Sequence, residues 1–213
     1  MTKEIKIKIL KVSAVVFLIL LIDQFFKIWI KTHFVLGESV EITSWFHILF
    51  VENSGMAFGM ELFDKVFLTV FRILALFAIG YGVFYAIKKE FHFGFTVAVG
   101  LIFAGALGNI IDCVFYGVWF DSSVGRVATF LSGEGYAPLF YGKVVDMLHF
   151  PLFEFVWPRW VPWFGGASFT FFDPVFNIAD SSICIGVFYI LIFQRKYITD
   201  SSKKEEESKE TEV

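Results

Sequence analysis

Four aspartates lie in strongly apolar surroundings: Asp23 in LILLIDQFFK, Asp112 in GALGNIID, Asp146 in GKVVDML and Asp180 in FNIAD. A carboxylate placed in hydrocarbon is costly unless it is paired or neutralised. Three of the four have a polar companion at helical spacing. Lys27 stands four residues after Asp23, on the same helix face. Asn109 stands three before Asp112 and Asn177 three before Asp180, and an amide can donate to a carboxylate and fix its orientation. No cation lies within a turn or two of Asp180, so its partner must come from another segment.

Two carboxylates meeting in a low-dielectric site do not both ionise; one keeps a proton while the other is charged. Such a pair suits acid–base hydrolysis of an amide, in which the charged acid activates water and the protonated one donates to the carbonyl oxygen. It suits a proton relay in a small proton-coupled transporter equally well, and spacing does not separate the two. Asp23 with Lys27 also reads as a structural ion pair, and Asp112 with Asn109 as a contact between helices. Asp146, taken alone, reads as a solvated loop residue.

The elements that must position these groups are membrane helices. The 213-residue chain is 57% hydrophobic and 18% charged, against about 45–50% apolar in soluble domains. The apolar excess falls into four blocks, at about residues 12–30, 66–87, 95–120 and 174–194, each long enough to cross a bilayer at about 1.5 Å per residue. The basic clusters Lys3/Lys6/Lys8/Lys11, Lys88/Lys89 and Arg195/Lys196/Lys203/Lys204 fall on one side, predicted to be cytoplasmic together with both termini. Asp23, Asp112 and Asp180 then share one depth, in the outer half of the bilayer. A relay across the membrane would need acids at several depths. Gly105 and Gly108 would let another backbone approach the face that carries Asn109 and Asp112. Arg72, early in the second block, supplies a counter-charge or snorkels outward to a lipid phosphate.

The fold class predicted is an all-α membrane protein with four transmembrane helices and a small periplasmic β-rich segment. Residues 1–199 form one domain, with outer segments at 31–65 and 121–173, and the acidic tail 200–213 is predicted to be disordered. Residues 40–59 read as short strands and a Gly-rich turn. Trp157, Trp160 and Trp163, with Pro158 and Pro162 among them, read as an irregular interfacial anchor. Cys113 and Cys184 read as free buried thiols. The scattered histidines make no metal pair, and no basic patch suggests nucleic acid.

The set DQFFK, NSGMAFG, GALGNIID, VVDM and FNIAD, in this order on residues 12–195, resembles the lipoprotein signal peptidases (signal peptidase II) of bacteria. The resemblance implies an aspartyl endopeptidase of the inner membrane that cuts a lipidated prolipoprotein just before its diacylglyceryl cysteine. The catalytic pair would be Asp146 and Asp180. Asn53, Gly55, Gly108, Asn109, Asp112 and Asn177 would line or orient the site, and Asp23 with Lys27 would support it. It further implies no cofactor or metal, contact with membrane lipid, inhibition by globomycin and action as a monomer. A non-catalytic lipid-binding protein is the remaining rival reading.

This chain departs from the family pattern in three places. Cys113 follows Asp112 where the family usually has Arg, and Arg126, Lys143 or Arg159 is expected to replace that cation. Met147 stands where Phe is usual. The intervals are long, with 33 residues between Asp112 and Asp146 and 34 positions from Asp146 to Asp180. The added aromatic loop around VWPRWVPWF is expected to form a lid or rim beside the site.

Overall fold

A computed structural model of the protein describes residues 2–55 and 65–194. The acidic tail, the basic residues from Arg195 onward and the turn at 56–59 lie outside the described residues.

Helix α1 (Lys3–His33) begins where the Thr2 side chain accepts the Ile5 N–H. Its pattern is inverted relative to a helix in water. Asp23, Lys27 and Lys31 are buried, whereas Phe17, Leu18, Leu21 and Phe25 face outward. Helix α2 (Lys65–Lys88) likewise turns Phe71, Leu74, Phe77 and Tyr81 outward. Helix α3 (Phe93–Ile111) continues through one π-helical turn (Asp112–Tyr116) into a last short turn, α4 (Gly117–Trp119). Both Lys65–Lys88 and the continuous stretch Phe93–Trp119 are long and apolar enough to cross a membrane. Helix α5 (Ile178–Phe193) is apolar but has 16 residues. It starts four residues later than the sequence pattern suggests, because Asn177 is its N-cap rather than part of the helix.

Small residues decide how the helices meet. A Cβ on Gly105 would collide with the carbonyl oxygen of Ala179 and with Ser182, and one on Gly108 would sit 2.7 Å from Asp23 Oδ2. The close approach of α3 to α5 and to α1 at these points therefore requires glycine, as the sequence suggested. At the opposite end, Lys8 donates to the Phe91 carbonyl and Lys11 lies over the Phe93 ring. The N-terminal lysines and the α2–α3 connection thus share one end of the molecule.

The segments between helices build a sheet. Strands β1 (Ser39–Thr43), β2 (Phe46–Asn53) and β3 (Val144–His149) are antiparallel in the order β1-β2-β3. Asp146, expected on a loop, is therefore on a strand. Register places Val51 opposite Asp146 and Asn53 opposite Val144, so Asn53 and Asp146 are diagonal neighbours on one face. The other face carries Phe50, Val145 and Met147 into a core with Ile30, Phe34, Tyr116 and Phe120. Phe176 exchanges backbone hydrogen bonds with Leu148, which delivers the next residue, Asn177, beside Asp146. A separate hairpin, β4 (Phe153–Val156) and β5 (Ser168–Phe171), carries the aromatic loop. Trp160 and Trp163 at its tip are 82% and 96% exposed.

Candidate active site

Asp146 and Asp180 line one cavity of about 260 Å³, together with Asn53, Gly55, Asn109 and Arg72. An amide bridge links the two acids. Asn177 Nδ2 donates to Asp146 Oδ1 at 2.7 Å and to Asn109 Oδ1 at 3.1 Å, and Asn109 Nδ2 donates to Asp180 Oδ1 at 2.7 Å. Asn53 Nδ2 adds a further donor to Asp146 Oδ2 at 3.3 Å.

Asn177 also holds the helix that carries Asp180. Its Oδ1 accepts the Asp180 N–H at 2.9 Å, and the Asp180 carboxylate accepts the Asn177 N–H at 3.4 Å. This is a reciprocal capping box. The spacing of three read in the sequence is therefore a cap, not two side chains on one helical face. Both residues nonetheless reach the same site.

Below the bridge lies a buried charge cluster. Lys27 Nζ meets Asp112 Oδ2 at 2.8 Å, Asp23 Oδ2 at 3.0 Å and Asn109 Oδ1 at 2.8 Å. Each of these acids grips a backbone N–H next to a cavity aspartate. Asp23 Oδ1 accepts from Ala179 N at 2.9 Å, and Asp112 Oδ2 accepts from Val145 N at 3.2 Å. Lys27 thus ties together the two supports that position Asp180 and Asp146. Gln24 completes the cluster, donating to Asp112 Oδ1 at 3.0 Å and Asp23 Oδ2 at 3.1 Å and accepting from Tyr116 Oη at 3.1 Å. The sequence reading missed Gln24 as a site residue. Its signal was the adjacency to Asp23 and the three-residue spacing to Lys27.

The surroundings of Asp146 favour its protonated form. Burial, and then the neighbouring Asp180, push the Asp146 carboxyl up to about 7, with Asn53 and Asn177 opposing. A raised value of this kind keeps a proton available near neutral pH.

The expected replacement cations lie elsewhere, Arg159 being exposed in the loop between β4 and β5. Arg126 pairs with Asp121 at 3.1 Å and is largely exposed, and Lys143 pairs with Glu52 at 3.1 Å. The guanidinium that reaches Cys113 is that of Arg72, from α2, with Nη1 3.1 Å from the sulfur. Cys113 is a buried free thiol as expected, but Cys184 faces outward from α5. A second buried cluster joins Lys31 to Glu52 at 2.5 Å and to Ser123 at 3.0 Å. Burial alone would push Glu52 up, yet Lys31 and Lys143 hold its carboxyl below the usual range.

A cavity among apolar helices that holds two carboxylates suits an aspartic-type membrane peptidase. Residues 15–195 match the family described as Signal peptidase (SPase) II, and the chain belongs to that family. It is 50% identical over 183 residues to a lipoprotein signal peptidase of Porphyromonas gingivalis, covering 85% of this chain and 81% of that one. It is 34% identical over 214 residues to a lipoprotein signal peptidase of Amoebophilus asiaticus, covering 96% and 86%. A solved bacterial membrane enzyme superposes with a TM-score of 0.58 at 27% identity, covering 91% of each chain. The transporter reading is not favoured by these relationships.

Proposed function

We propose that the protein removes the signal peptide from lipidated prolipoproteins, cutting before the diacylglyceryl-modified cysteine, with Asp146 and Asp180 as the catalytic pair. The observation that carries this reading is the single cavity shared by the two acids and cross-linked by Asn177 and Asn109. Asp180 accepts the proton of the attacking water as that oxygen bonds to the scissile carbonyl carbon. Asp146, which holds its proton near neutral pH, donates it to the carbonyl oxygen. The tetrahedral gem-diol then collapses: the C–N bond breaks as the proton taken by Asp180 passes to the leaving amine, and Asp146 recovers its proton from the hydroxyl that reforms the carbonyl. The products are a signal peptide ending in a carboxylate and a lipoprotein with a free N-terminal amine. Asn53, Gly55, Gly108, Asn109, Asp112 and Asn177 line or orient the site, and Asp23 with Lys27 supports it.

The same reading places α1, α2, α3 with its extension, and α5 across the bacterial inner membrane as four spans of one domain. The outward apolar faces of α1 and α2 support it, as does the meeting of Lys8 and Lys11 with the α2–α3 connection at one end. That basic end is cytoplasmic, with both termini, and the sheet and cavity lie at the periplasmic face. The protein acts as a monomer in contact with membrane lipid. Globomycin occupies the cavity. The hairpin loop rests on the membrane as a rim.

The test is a gel-shift assay of purified protein with a lipidated precursor. Cleavage by the native chain, blocked by globomycin, is expected. A precursor left intact would remove the assignment.

A further inference from the structure

Arg72 is a charged residue on α2 that lines the same cavity as Asp146 and Asp180. Two features of this chain hold it there. Cys113 is small and fully buried, and its sulfur accepts from Nη1 at 3.1 Å. Gly55, at φ +78°, has no side chain to occupy the space taken by the guanidinium, since a Cβ there would sit 2.5 Å from Nη2. Gly55 in turn is pinned by its N–H to Asn53 Oδ1 at 2.7 Å, and Asn53 donates to Asp146. One short path therefore fixes Arg72 relative to a catalytic acid.

The bonding of Arg72 leaves it able to do more than pack. A guanidinium carries five N–H donors in a fixed fork, and a thiol is a weak acceptor. Among the described residues no ion pair joins Arg72 to a carboxylate. The charge thus faces the cavity without an ion pair to Asp146 or Asp180; such a pair would favour the ionised form of the acid it met and work against the proton that hydrolysis needs.

We propose that Arg72 binds a carbonyl oxygen of the precursor beside the scissile bond, supplying from α2 the cation that position 113 lacks. This rests on the peptidase reading above. The acceptor is a carbonyl oxygen, from the peptide main chain or from the ester of the diacylglyceryl group. Either would gain a charge-assisted hydrogen bond that fixes the precursor across the two acids.

The test compares the native chain, Arg72→Ala, Arg72→Lys and the double variant Arg72→Ala/Cys113→Arg, with melting measured for each in detergent. The precursor is supplied in an ester-linked and an ether-linked form. Cleavage by the native chain and its loss in Asp146→Asn establish the peptidase reading independently. Arg72→Ala is expected to lower kcat/KM about 10- to 100-fold without a change in melting, Arg72→Lys to fall between, and the double variant to recover most of the loss. If the penalty of Arg72→Ala disappears on the ether-linked precursor, the ester supplies the acceptor; if it persists, the main chain does. Native kcat/KM in Arg72→Ala would overturn the proposal. So would a folded double variant that cleaves no better than Arg72→Ala. If Arg72→Ala does not fold, Arg72→Lys and the double variant decide in the same way.

Discussion

Asp23 on α1 accepts the peptide N–H of Ala179 at 2.9 Å, one residue before Asp180. Asp112 does the same for Val145, one residue before Asp146, and Lys27 joins the two acceptors. The two catalytic candidates sit on different kinds of element, a helix start and a strand. One buried cation therefore joins the supports of both acids, in addition to the amide bridge between them.

Replacing Lys27 by Met leaves Asp23 and Asp112 buried without their cation. Breaking a buried pair in this way costs about 3–5 kcal/mol. Thermal denaturation in detergent should show a large drop in melting temperature, with cleavage lost even where protein remains folded. A melting temperature equal to the native one would mean that the cluster is not a structural tie.

Asn177→Ala removes both a helix cap, worth about 1 kcal/mol, and a donor to Asp146. That donor opposes the raised Asp146 value. Its loss should move the alkaline limb of the kcat/KM profile to higher pH, alongside a modest loss of stability. A limb that stays in place would separate Asn177 from the acid.

Stability should itself depend on Asp146. The carboxyl rises from an ordinary 3.8 to about 7 in the folded chain. Between those values the folded state binds more protons than the unfolded one, so stability falls as pH rises through the window. Melting of the native chain in detergent should therefore decline from about pH 4.5 to about pH 7.5 relative to Asp146→Asn. A constant difference between the two would contradict the raised value.

Deleting residues 156–164 removes the tip that carries Trp160 and Trp163, both almost fully exposed. Turnover of a precursor in liposomes should fall. Undiminished turnover would reduce the loop to an anchor.

Much of the site was legible because its residues repeat at helical spacing. Asp23 and Lys27 could be paired from the sequence because a helix fixes which neighbours share a face; Asn109 and Asp112 were read as a pair too, but the Asn109 amide donates to Asp180 and meets Asp112 only through Lys27. Asn177 and Asp180 were found by the same spacing, though the real link is a cap at the first turn of α5. Asp146 was legible only through the family motif. Residues 144–147 of β3 are all buried, so the strand lacks the apolar–polar alternation that marks a half-exposed one. The meeting of Arg72 with Cys113 was invisible for another reason: it spans 41 positions and two helices, and nothing local records it. The same holds for Lys31, whose partners Glu52 and Ser123 come from a strand and a distant loop.

The central claim is that Asp146 and Asp180 act together on one peptide bond. Its most direct test is the cleavage rate of a lipidated prolipoprotein by Asp146→Asn and by Asp180→Asn, each checked for native melting. Each change should lower kcat by about 10²–10⁴-fold or more, with the double variant little worse than either single one. Full cleavage by either folded variant would contradict it.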